Sequence, residues 1–532
     1  MQWATPQERR NLGQARRKQV GRQEHNQLNP KARTTPPLEL LARSMHGRVP
    51  ALIKLKYHLM AESPFGYFRG AVPVMAADLA LLPNAGINCQ LCGDAHVRNL
   101  GAFAAPDGRL TFDINDFDET IRGPFEWDLK RMAASLVLAG RGSGHKEASV
   151  RAAVEKFVAR YASQIAAFAK MSSIEVAHFQ VHRLAAVAPV HAALLQAERA
   201  TPQHTLDQLT EPVSSSVSAK EINTSKGANT AKGSGKEKGS GKEKDAGKKK
   251  SAGKEKGAGS VKGAGSEKNA GTVKGTGSEK NAGTVKGTGL SPYNNPAKSK
   301  RALAPEGGSS PDLLRHFKEI KPTLTRVTGA QAAAVLASLG PYRQMLEPQR
   351  QHLLSLYRPI DVAFKVVGTG SVGLRDYCIY FEGNGPDDPL FLQIKEEPAS
   401  AYTAYLPDAK PPHHNGQRTA EGQKAMQVQS DPFLGWTHFG GRDYLVRQLN
   451  DHKGSIDLEN LSGGGLEAYG EVCGELLARG HARSGDPLIL AGYIGSGDGF
   501  ADALAKFGSA YADQTEKDWN ELKRSAKVSA KP

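Results

Sequence analysis

The sequence predicts an α+β fold in which two ordered blocks each mix helices with strands. Residues 37–205 open with a helical stretch, pass through short β-like segments and end in long amphipathic helices between Phe125 and Arg199. Residues 311–532 begin with helices, become strand-rich from Ala363 to Leu449 and close with two further helical runs. Because each block contains both kinds of element, we expect the mixed class rather than an all-helical or all-strand one.

Residues 1–36 are predicted to be a disordered basic arm. They are rich in Gln, Asn and Arg and almost lack apolar residues, so they cannot bury enough surface to fold alone. Residues 1–34 hold 8 Lys and Arg against 2 Glu, and residues 220–288 hold 17 Lys against 7 Asp and Glu, out of a total net charge of +16. The remaining chain is therefore close to neutral, and any nucleic-acid partner is expected to bind only through these basic tails.

Two segments of residues 37–205 concentrate acidic and amide side chains: CGDAHVRNL and FDINDFDET. Such side chains between apolar neighbours are costly unless a cation compensates them, and a divalent metal is the usual partner. The run Leu110–Asp118 alternates apolar and polar residues, which indicates a strand ending in carboxylates. A short turn separates this strand from Asn99, so an amide oxygen and the Asp116 carboxylate are expected at one metal.

Three other interpretations of these segments are open. An EF-hand loop requires Gly where DINDFDE has Asp118. A binuclear phosphoesterase can begin with Gly-Asp-x-His, but no later His-rich motif completes it. A charged turn capped by Asp residues normally contains two or three acids, whereas the two segments together have five.

Residues 206–310 are predicted to be a low-complexity, Lys- and Gly-rich insert. The unit GSEKNAGTVKGT occurs twice in succession, at 265–276 and 277–288, without an apolar face that could stack as a solenoid. The stretch is interpreted as a long, disordered, positively charged linker, with electrostatic contact to nucleic acid as the alternative.

Residues 311–532 carry a glycine-rich loop and a lysine strand. The loop FKVVGTGSVG supplies four candidate nucleotide-binding residues: Gly368, Gly370, Ser371 and Gly373. β-forming residues follow it (LRDYCIYFEG), and the next predicted strand, PLFLQIKEE, ends with Lys395. The helical run GQRTAEGQKAMQ offers Glu421 as a partner for this lysine. A glycine loop between two strands is the arrangement with which protein kinases hold nucleotide phosphates. For Lys395 the alternative interpretation is a solvated lysine on an edge strand.

The acidic segments resemble the catalytic segment of the aminoglycoside-phosphotransferase branch of the protein-kinase-like superfamily. There a Gly-Asp-x-His-x-x-Asn loop precedes a strand hairpin, a metal-binding Asp and a later structural Asp. The resemblance implies that Asp94 is the catalytic base, with His96 in the same catalytic loop, and that Asn99, Asp116 and Asp118 bind Mg²⁺. It makes Asp128 structural. The residue before Gly-Asp, usually His, is Cys92 here.

The order of the segments is reversed relative to those kinases, because residues 92–118 come about 250 residues before the glycine loop. We interpret this as a circular permutation of a two-lobe protein-kinase-like fold, with residues 37–205 as the catalytic segment and 311–532 as the glycine-loop segment of one domain. The ordered chain also resembles a bacterial family known only as domain-of-unknown-function family 2252, in segments such as SPFGYFRG, CGDAHVRNLG and VVGTGSVGLR. In SPFGYFRG, Arg69 is a candidate clamp for phosphate or carboxylate, or a packing residue.

These features predict an ATP- and Mg²⁺-dependent phosphotransferase that acts on a small-molecule hydroxyl. A non-catalytic nucleotide-binding scaffold and AMP transfer on the same fold are the alternatives. Four cysteines in 532 residues do not form a disulfide framework, and no stretch approaches the apolar length of a membrane span. We therefore expect a cytoplasmic protein with no membrane partner.

Overall fold

The computed structural model describes residues 4–181, 186–213, 314–449, 452–497 and 499–525. Helices and strands are mixed throughout these ranges, which confirms the α+β class. Up to residue 213 the elements are α1 (Pro6–Gln19), α2 (Pro37–Ser44), α3 (Pro50–Ala61), α4 (Pro64–Gly70), α5 (Val72–Ala80), β1 (Asn88–Leu91), β2 (Leu100–Ala104), β3 (Leu110–Ile114), β4 (Ile121–Pro124), α6 (Glu126–Gly142), α7 (Glu147–Phe168), α8 (Ser173–His178), α9 (Ala188–Arg199), α10 (Pro202–Leu209) and β5 (Thr210–Pro212).

From residue 314 onward a strand-rich stretch precedes three long or buried helices. The elements are β6 (Arg315–Phe317), β7 (Leu324–Val327), α11 (Gly329–Ala337), α12 (Leu339–Met345), α13 (Pro348–Ser355), β8 (Arg358–Lys365), β9 (Asp376–Glu382), β10 (Pro389–Glu396), α14 (Asn415–Met426), β11 (Gly435–Phe439), β12 (Arg442–Gln448), β13 (Gly454–Ser455), α15 (Gly465–Ser484), α16 (Pro487–Ile494) and α17 (Phe500–Arg524). The strands predicted around Cys378 and Lys395, and the helix predicted to follow them, are all present as β9, β10 and α14.

Six strands of the described residues form one antiparallel sheet, in the order β11-β12-β10-β9-β8-β7. β10 lies inside this sheet between β12 and β9, and all eight of its residues are buried. One apolar core covers the sheet with side chains such as Ile379, Leu392 and Val446 together with Tyr342 of α12. A lysine on β10 is therefore held rigidly and away from bulk solvent.

A separate and larger apolar core surrounds α6, α7, α15 and α17. α6 is buried along nearly its whole length, because its neighbours α7, α15 and α17 pack around it. Two small sheets border this core: β2 pairs with β3 and β13, and β1 pairs with β4. The loops after β1 and β3, which carry the acidic residues predicted to be functional, start from these sheets.

The expectation of a disordered arm at residues 1–36 is wrong for residues 4–36. α1 begins with a complete capping box between Thr5 and Glu8 and packs against α16. The contact is close: a β-carbon added at Gly13 would lie 2.0 Å from the carbonyl oxygen of Ile489. Further along, Arg33 bridges the carboxylates of Asp78 on α5 and Asp518 on α17. Composition did not indicate this, because the segment is stabilised by tertiary contacts rather than by its own apolar residues.

The predicted insert begins later than expected. Residues 206–213 belong to α10 and to β5, which pairs with β6 across the insert, from Thr210 opposite Phe317 to Pro212 opposite Arg315. The amide of Val213 donates to the carbonyl oxygen of Leu314 at 2.7 Å. The predictions made for residues 214–310 lie outside the described residues.

All four cysteines are buried and none forms a disulfide. Burial raises the pKa of the Cys89 and Cys92 thiols, so these side chains behave as apolar core groups. Among the described helices, none has the combination of length and apolar character needed to cross a bilayer.

Candidate functional site

The two stretches that carry the candidate residues meet at Lys395. This lysine lies on β10, and Asp116 and Asp118 follow the end of β3. Its Nζ is 2.5 Å from both carboxylate oxygens of Asp118 and 3.5 Å from Asp116 Oδ1. The side chain of Lys395 is 2% exposed, whereas that of Asp116 is 47% exposed. One buried ammonium therefore holds two carboxylates, of which Asp116 faces solvent.

The electrostatics of this group follow from its burial and its mixed charges. Burial opposes ionisation of Asp116, but the Lys395 ammonium outweighs it and holds the pKa of that carboxyl well below its usual range. Burial and the neighbouring Asp116 charge raise the pKa of Asp118, against the opposing effect of Lys395. Despite its burial, Lys395 has a raised pKa because Asp116 and Asp118 lie beside it. The lysine is thus a permanent cation, and the pair of carboxylates carries charge that a second cation would stabilise.

Asn99 fixes the two acidic loops relative to each other. Leu100 pairs with Ile114 in the β2–β3 hairpin, so Asn99 and Asp116 lie at the same end of it. Asn99 Nδ2 donates to the carbonyl oxygens of Asp94 (2.8 Å) and Asp116 (2.9 Å), and its Oδ1 accepts the amide N–H of Asp116 (2.7 Å). The amide oxygen predicted as a metal ligand is therefore engaged in holding the loops together.

Asp94 is oriented by a buried arginine. Arg131, on α6, donates from Nε to Asp94 Oδ1 at 2.7 Å and lies over the ring of Phe68 with 4.2 Å to its centroid. The other oxygen, Oδ2, is 3.6 Å from Nε2 of His96. The Asp94 side chain remains 19% exposed while Arg131 is fully buried. Asp94 thus has a fixed orientation and an accessible face.

The rest of the Asp94 loop is held from behind. Asp128, which is 1% exposed, accepts the amide N–H of Cys92 at 2.8 Å and that of Gly93 at 3.0 Å. His96 is 4% exposed and its Nδ1 accepts the amide N–H of Arg98. Burial lowers the pKa of His96 to about 3, against the opposing effect of Asp94. The imidazole is neutral near pH 7, so it supports the loop as a neutral hydrogen-bonding group.

The glycine-rich loop lies directly over the carboxylates. Ser371 Oγ donates to Asp118 Oδ2 at 3.1 Å, which joins the loop to the metal candidates. Gly368 and Gly373 have φ values of +60° and +90°, a region that residues with a β-carbon rarely adopt. At Gly373 an added β-carbon would also lie 3.1 Å from Arg48 Cβ. The conformation of the loop therefore requires glycine at positions 368 and 373.

Two basic side chains from the segment that connects α2 with α3 and from α3 itself hold the backbone of the loop. Lys56, on α3, is 1% exposed and donates to the carbonyl oxygens of Thr369 (3.2 Å) and Gly370 (2.5 Å). Arg48 donates to the carbonyl oxygen of Val372 at 2.6 Å. These contacts fix the carbonyl oxygens of Thr369, Gly370 and Val372 and thereby the conformation of the loop.

The residues above enclose a cavity of about 560 Å³. Its lining includes these candidate residues: Asp94, His96, Asn99, Asp116, Asp118, Gly368, Gly370 and Ser371. Lys395 is not part of the lining and reaches the site through its contacts with Asp116 and Asp118. Segments before residue 75 complete the wall, including Arg48, Lys56 and Arg69. This volume is of the size that binds small-molecule ligands and cofactors.

The expected pair between Glu421 and Lys395 is not formed. Glu421 lies on the exposed side of α14, where Gln417 Nε2 donates to its carboxylate at 2.7 Å. The buried side of the same helix presents Arg418, whose guanidinium donates to the carbonyl oxygens of Asp118 (2.8 Å) and Thr120 (2.7 Å). Helix α14 was predicted correctly, but its rotation places Arg418 toward the site. Lys395 forms its ion pair with Asp118 instead of Glu421.

Sequence reasoning missed several cations at the site, because each comes from a segment with no recognisable motif. Arg131, Lys56 and Arg418 are the clearest cases. Near Asp116, Arg447 and Lys453 line a smaller cavity of about 60 Å³. Burial and the charge of Arg447 lower the pKa of Lys453 to about 7. A buried basic residue in an otherwise apolar run is the signal that could have indicated Lys56 and Arg131.

A further group of possible metal ligands, found among the described residues, lies outside the large cavity. It consists of His414, His438 and Asp443, whose ligand atoms are all within 4.8 Å of one another. His414 Nδ1 accepts the amide N–H of Gln417, which puts the proton of a neutral ring on Nε2, the nitrogen facing Asp443. His438 Nδ1 lies 2.9 Å from Asp443 Oδ1, so the group is held together by hydrogen bonds without an ion.

Comparison with known proteins identifies the chain at the level of its family. The family model described as "Uncharacterized protein conserved in bacteria (DUF2252)" matches residues 48–238 and 285–525. No curated protein and no solved structure matches the chain. The matched residues make up more than half of the sequence and include every candidate site residue named above, so this protein is a member of the bacterial DUF2252 family.

Proposed function

We propose that this protein is an ATP- and Mg²⁺-dependent phosphotransferase of kinase-like, circularly permuted architecture that acts on the hydroxyl group of a small molecule. The observation that carries the proposal is the contact between Lys395 and the carboxylates of Asp116 and Asp118 beneath a glycine-rich loop. Stretches more than 250 residues apart in sequence form this arrangement around one cavity. Their roles in other kinases match the positions that they occupy here.

The glycine loop and Lys395 are the proposed phosphate-binding groups. Lys56 and Arg48 donate to carbonyl oxygens of the loop and so fix its conformation. The amide N–H groups of the loop are the donors proposed for the phosphates. Lys395 is buried and fixed within the sheet, and its ammonium already binds the oxygen atoms of a carboxylate. A nucleotide phosphate presents the same kind of charged oxygen, so Lys395 can share its three N–H donors between phosphate and Asp118.

The carboxylates fit a divalent cation. Asp116 is half exposed toward the cavity and Asp118 lies beside it, and oxygen ligands of this kind are those that Mg²⁺ prefers. Because the Asn99 amide oxygen accepts the Asp116 N–H, the two carboxylates are the proposed protein ligands. Bound Mg²⁺ supplies positive charge that offsets the charge of the nucleotide phosphates.

Asp94 is the proposed general base for the acceptor. Arg131 holds Oδ1, while the exposed face of the carboxylate lines the cavity. In the reaction the acceptor hydroxyl oxygen forms a bond to the γ-phosphorus as the bond to the β-phosphate oxygen breaks. ADP leaves with the electron pair of that bond, and the hydroxyl proton passes to Asp94.

Thermal-shift titration with ATP, with and without Mg²⁺, tests the proposal. A ligand that binds the native state raises the unfolding midpoint by mass action. We expect Mg²⁺ to strengthen the ATP effect in the wild type and to have little influence in Asp116→Asn. Asp107→Asn, on the turn of the same hairpin, is the matched control and should behave like the wild type. ATP binding that responds to Mg²⁺ equally in all three proteins would remove Asp116 from the site.

A further inference from the structure

The large cavity has a distinctly cationic wall on the side formed by the N-terminal helices. Its lining includes five Lys and Arg residues: Arg43, Arg48, Lys56, Arg69 and Arg98. All but Arg98 come from residues 43–69, a stretch that supplies none of the proposed nucleotide-binding or metal-binding groups. The proposed nucleotide and metal sites therefore do not account for the positive charge of this wall.

Most of these cations already have partners. Lys56 and Arg48 donate to carbonyl oxygens of the glycine loop. Arg43 is exposed and pairs with Glu39 one turn away on α2. Arg69 Nε lies 3.4 Å from His96 Nε2, but that nitrogen carries the proton of the neutral ring, because Nδ1 accepts the amide N–H of Arg98, so it does not accept a hydrogen bond from Arg69. Within the described residues, the two terminal nitrogens of Arg69 face no carboxylate at ion-pair distance, although the residue is largely enclosed.

The nearby carboxylates of Asp94 and Asp116 attract Arg69 electrostatically, but neither forms an ion pair with it. Asp94 is paired with Arg131, and Asp116 lies 3.5 Å from Lys395. A partly buried guanidinium with unfilled donors is costly unless an anion approaches it. Its planar donor pattern matches phosphate and carboxylate groups, which accept two parallel hydrogen bonds.

The position of Arg69 assigns this anion to the acceptor side. Arg69 Nε is 3.4 Å from His96 Nε2, which in turn lies 3.6 Å from Asp94 Oδ2, so one imidazole nitrogen separates the guanidinium from the proposed base. The exposed Arg98 follows His96 in the same loop and also lines the cavity. An anionic group bound by Arg69 would thus lie close to the hydroxyl that Asp94 deprotonates.

We propose that the acceptor is a compact, anionic hydroxyl compound whose phosphate or carboxylate group is bound by Arg69, with Arg98 at the rim. The proposal rests on the proposed function and specifies its substrate class. In the transfer step the anionic group is unchanged: the hydroxyl oxygen gains the phosphoryl group, the proton goes to Asp94, and ADP leaves.

The test keeps the nucleotide site filled while the anion site is probed. The full-length protein is saturated with Mg²⁺ and a non-hydrolysable ATP analogue, and inorganic phosphate or acetate is then titrated by thermal shift. We expect at least one of the two anions to raise the midpoint further, and its apparent affinity to fall at least tenfold in Arg69→Gln. Arg43→Gln, on the same wall but already paired with Glu39, is the matched control. The more effective anion distinguishes a phosphate-bearing acceptor from a carboxylate-bearing one.

Several outcomes would overturn the assignment. Anion effects that disappear once the analogue is bound would place the anion in the nucleotide site. A loss of analogue binding in Arg69→Gln would make Arg69 a nucleotide ligand, and equal anion affinity in wild type and variant would remove it from the site. If Arg69→Gln does not fold, the exposed Arg98→Gln should still weaken the same anion. Failure of the ATP analogue to bind the wild type would contradict the proposed function. Anion binding that depends on Arg69 would still be detected in that case, because the anion titration can be repeated without the analogue.

Discussion

The Lys395 ammonium lies 2.5 Å from both carboxylate oxygens of Asp118, although 277 residues separate the two in sequence. The pair joins the buried strand β10 to the loop after β3 and thereby connects the two apolar cores. The proposed metal cation would share the carboxylates of Asp116 and Asp118 with Lys395.

Lys395→Met should destabilise the protein by about 3 kcal/mol and abolish ATP binding. Removing one partner of a buried ion pair leaves the other charge without compensation. Urea unfolding measures the first effect and ATP titration the second. The double variant Lys395→Met/Asp118→Asn should be less unstable than the sum of the single changes, since only one of the two carboxylates that contact Lys395 is then left without it. Simple additivity would show that the pair is not formed in solution.

Asp94→Asn should lower the rate of ATP hydrolysis, with water as the acceptor, by about 100-fold to 10,000-fold, the range attributed to a positioned general base. The amide keeps the hydrogen bond from Arg131 and the shape of the side chain. ATP and Mg²⁺ binding should therefore stay within about twofold of the wild type, as judged by thermal shift. Hydrolysis that continues unchanged in this variant would exclude Asp94 as the base.

Lys56→Met should weaken ATP binding about tenfold, because two carbonyl oxygens of the glycine loop lose their hydrogen-bond donor. Hydrogen exchange of the amides in residues 366–373 should become faster in the variant. Lys54→Met, at an exposed position of the same helix, provides the control and should change neither measurement. A glycine loop with unaltered exchange in Lys56→Met would contradict the supporting role of this lysine.

The protein should lose stability as the pH falls below about 6.5. Burial lowers the pKa of both His25 and His96 from 6.5 to about 3, so the unfolded chain takes up protons that the folded protein refuses. Each group contributes its full stabilisation above pH 6.5 and loses about 1.4 kcal/mol per pH unit between that value and about pH 3. In urea unfolding at a series of pH values, the free energy of unfolding of His96→Gln should depend less steeply on pH than that of the wild type. The exposed His178→Gln should keep the wild-type pH dependence. An unchanged slope in His96→Gln would mean that this ring is protonated in the folded state.

Much of the site was predictable because its chemistry depends on local patterns. The glycine loop requires Gly368 and Gly373 at positive φ, and the apolar, β-forming run PLFLQI placed Lys395 in a strand. The carboxylates followed a recognisable hairpin, and they contact the lysine that the second motif singled out. These features depend on residues that are close together in the chain.

The rest depended on tertiary contacts that no local pattern encodes. The rotation of α14 decided that Arg418, and not Glu421, faces the loop of Asp118. This helix has few apolar residues, so its sequence gives little sign of which side is buried. Similarly, α1 is ordered by close contact with α16 at Gly13, which composition alone represents as unfavourable for folding. Arg131 reaches Asp94 from a helix that begins 32 residues later.

The pairing of β5 with β6 brings Val213 and Leu314 within hydrogen-bonding distance, so the chain leaves and re-enters the fold at one point. The number of residues between these positions is thereby uncoupled from the geometry of the fold. Doubling the length of such a connection raises its closure cost by only about 0.6 kcal/mol. A chain with one more or one fewer twelve-residue unit at 265–288 should therefore fold with nearly the same stability.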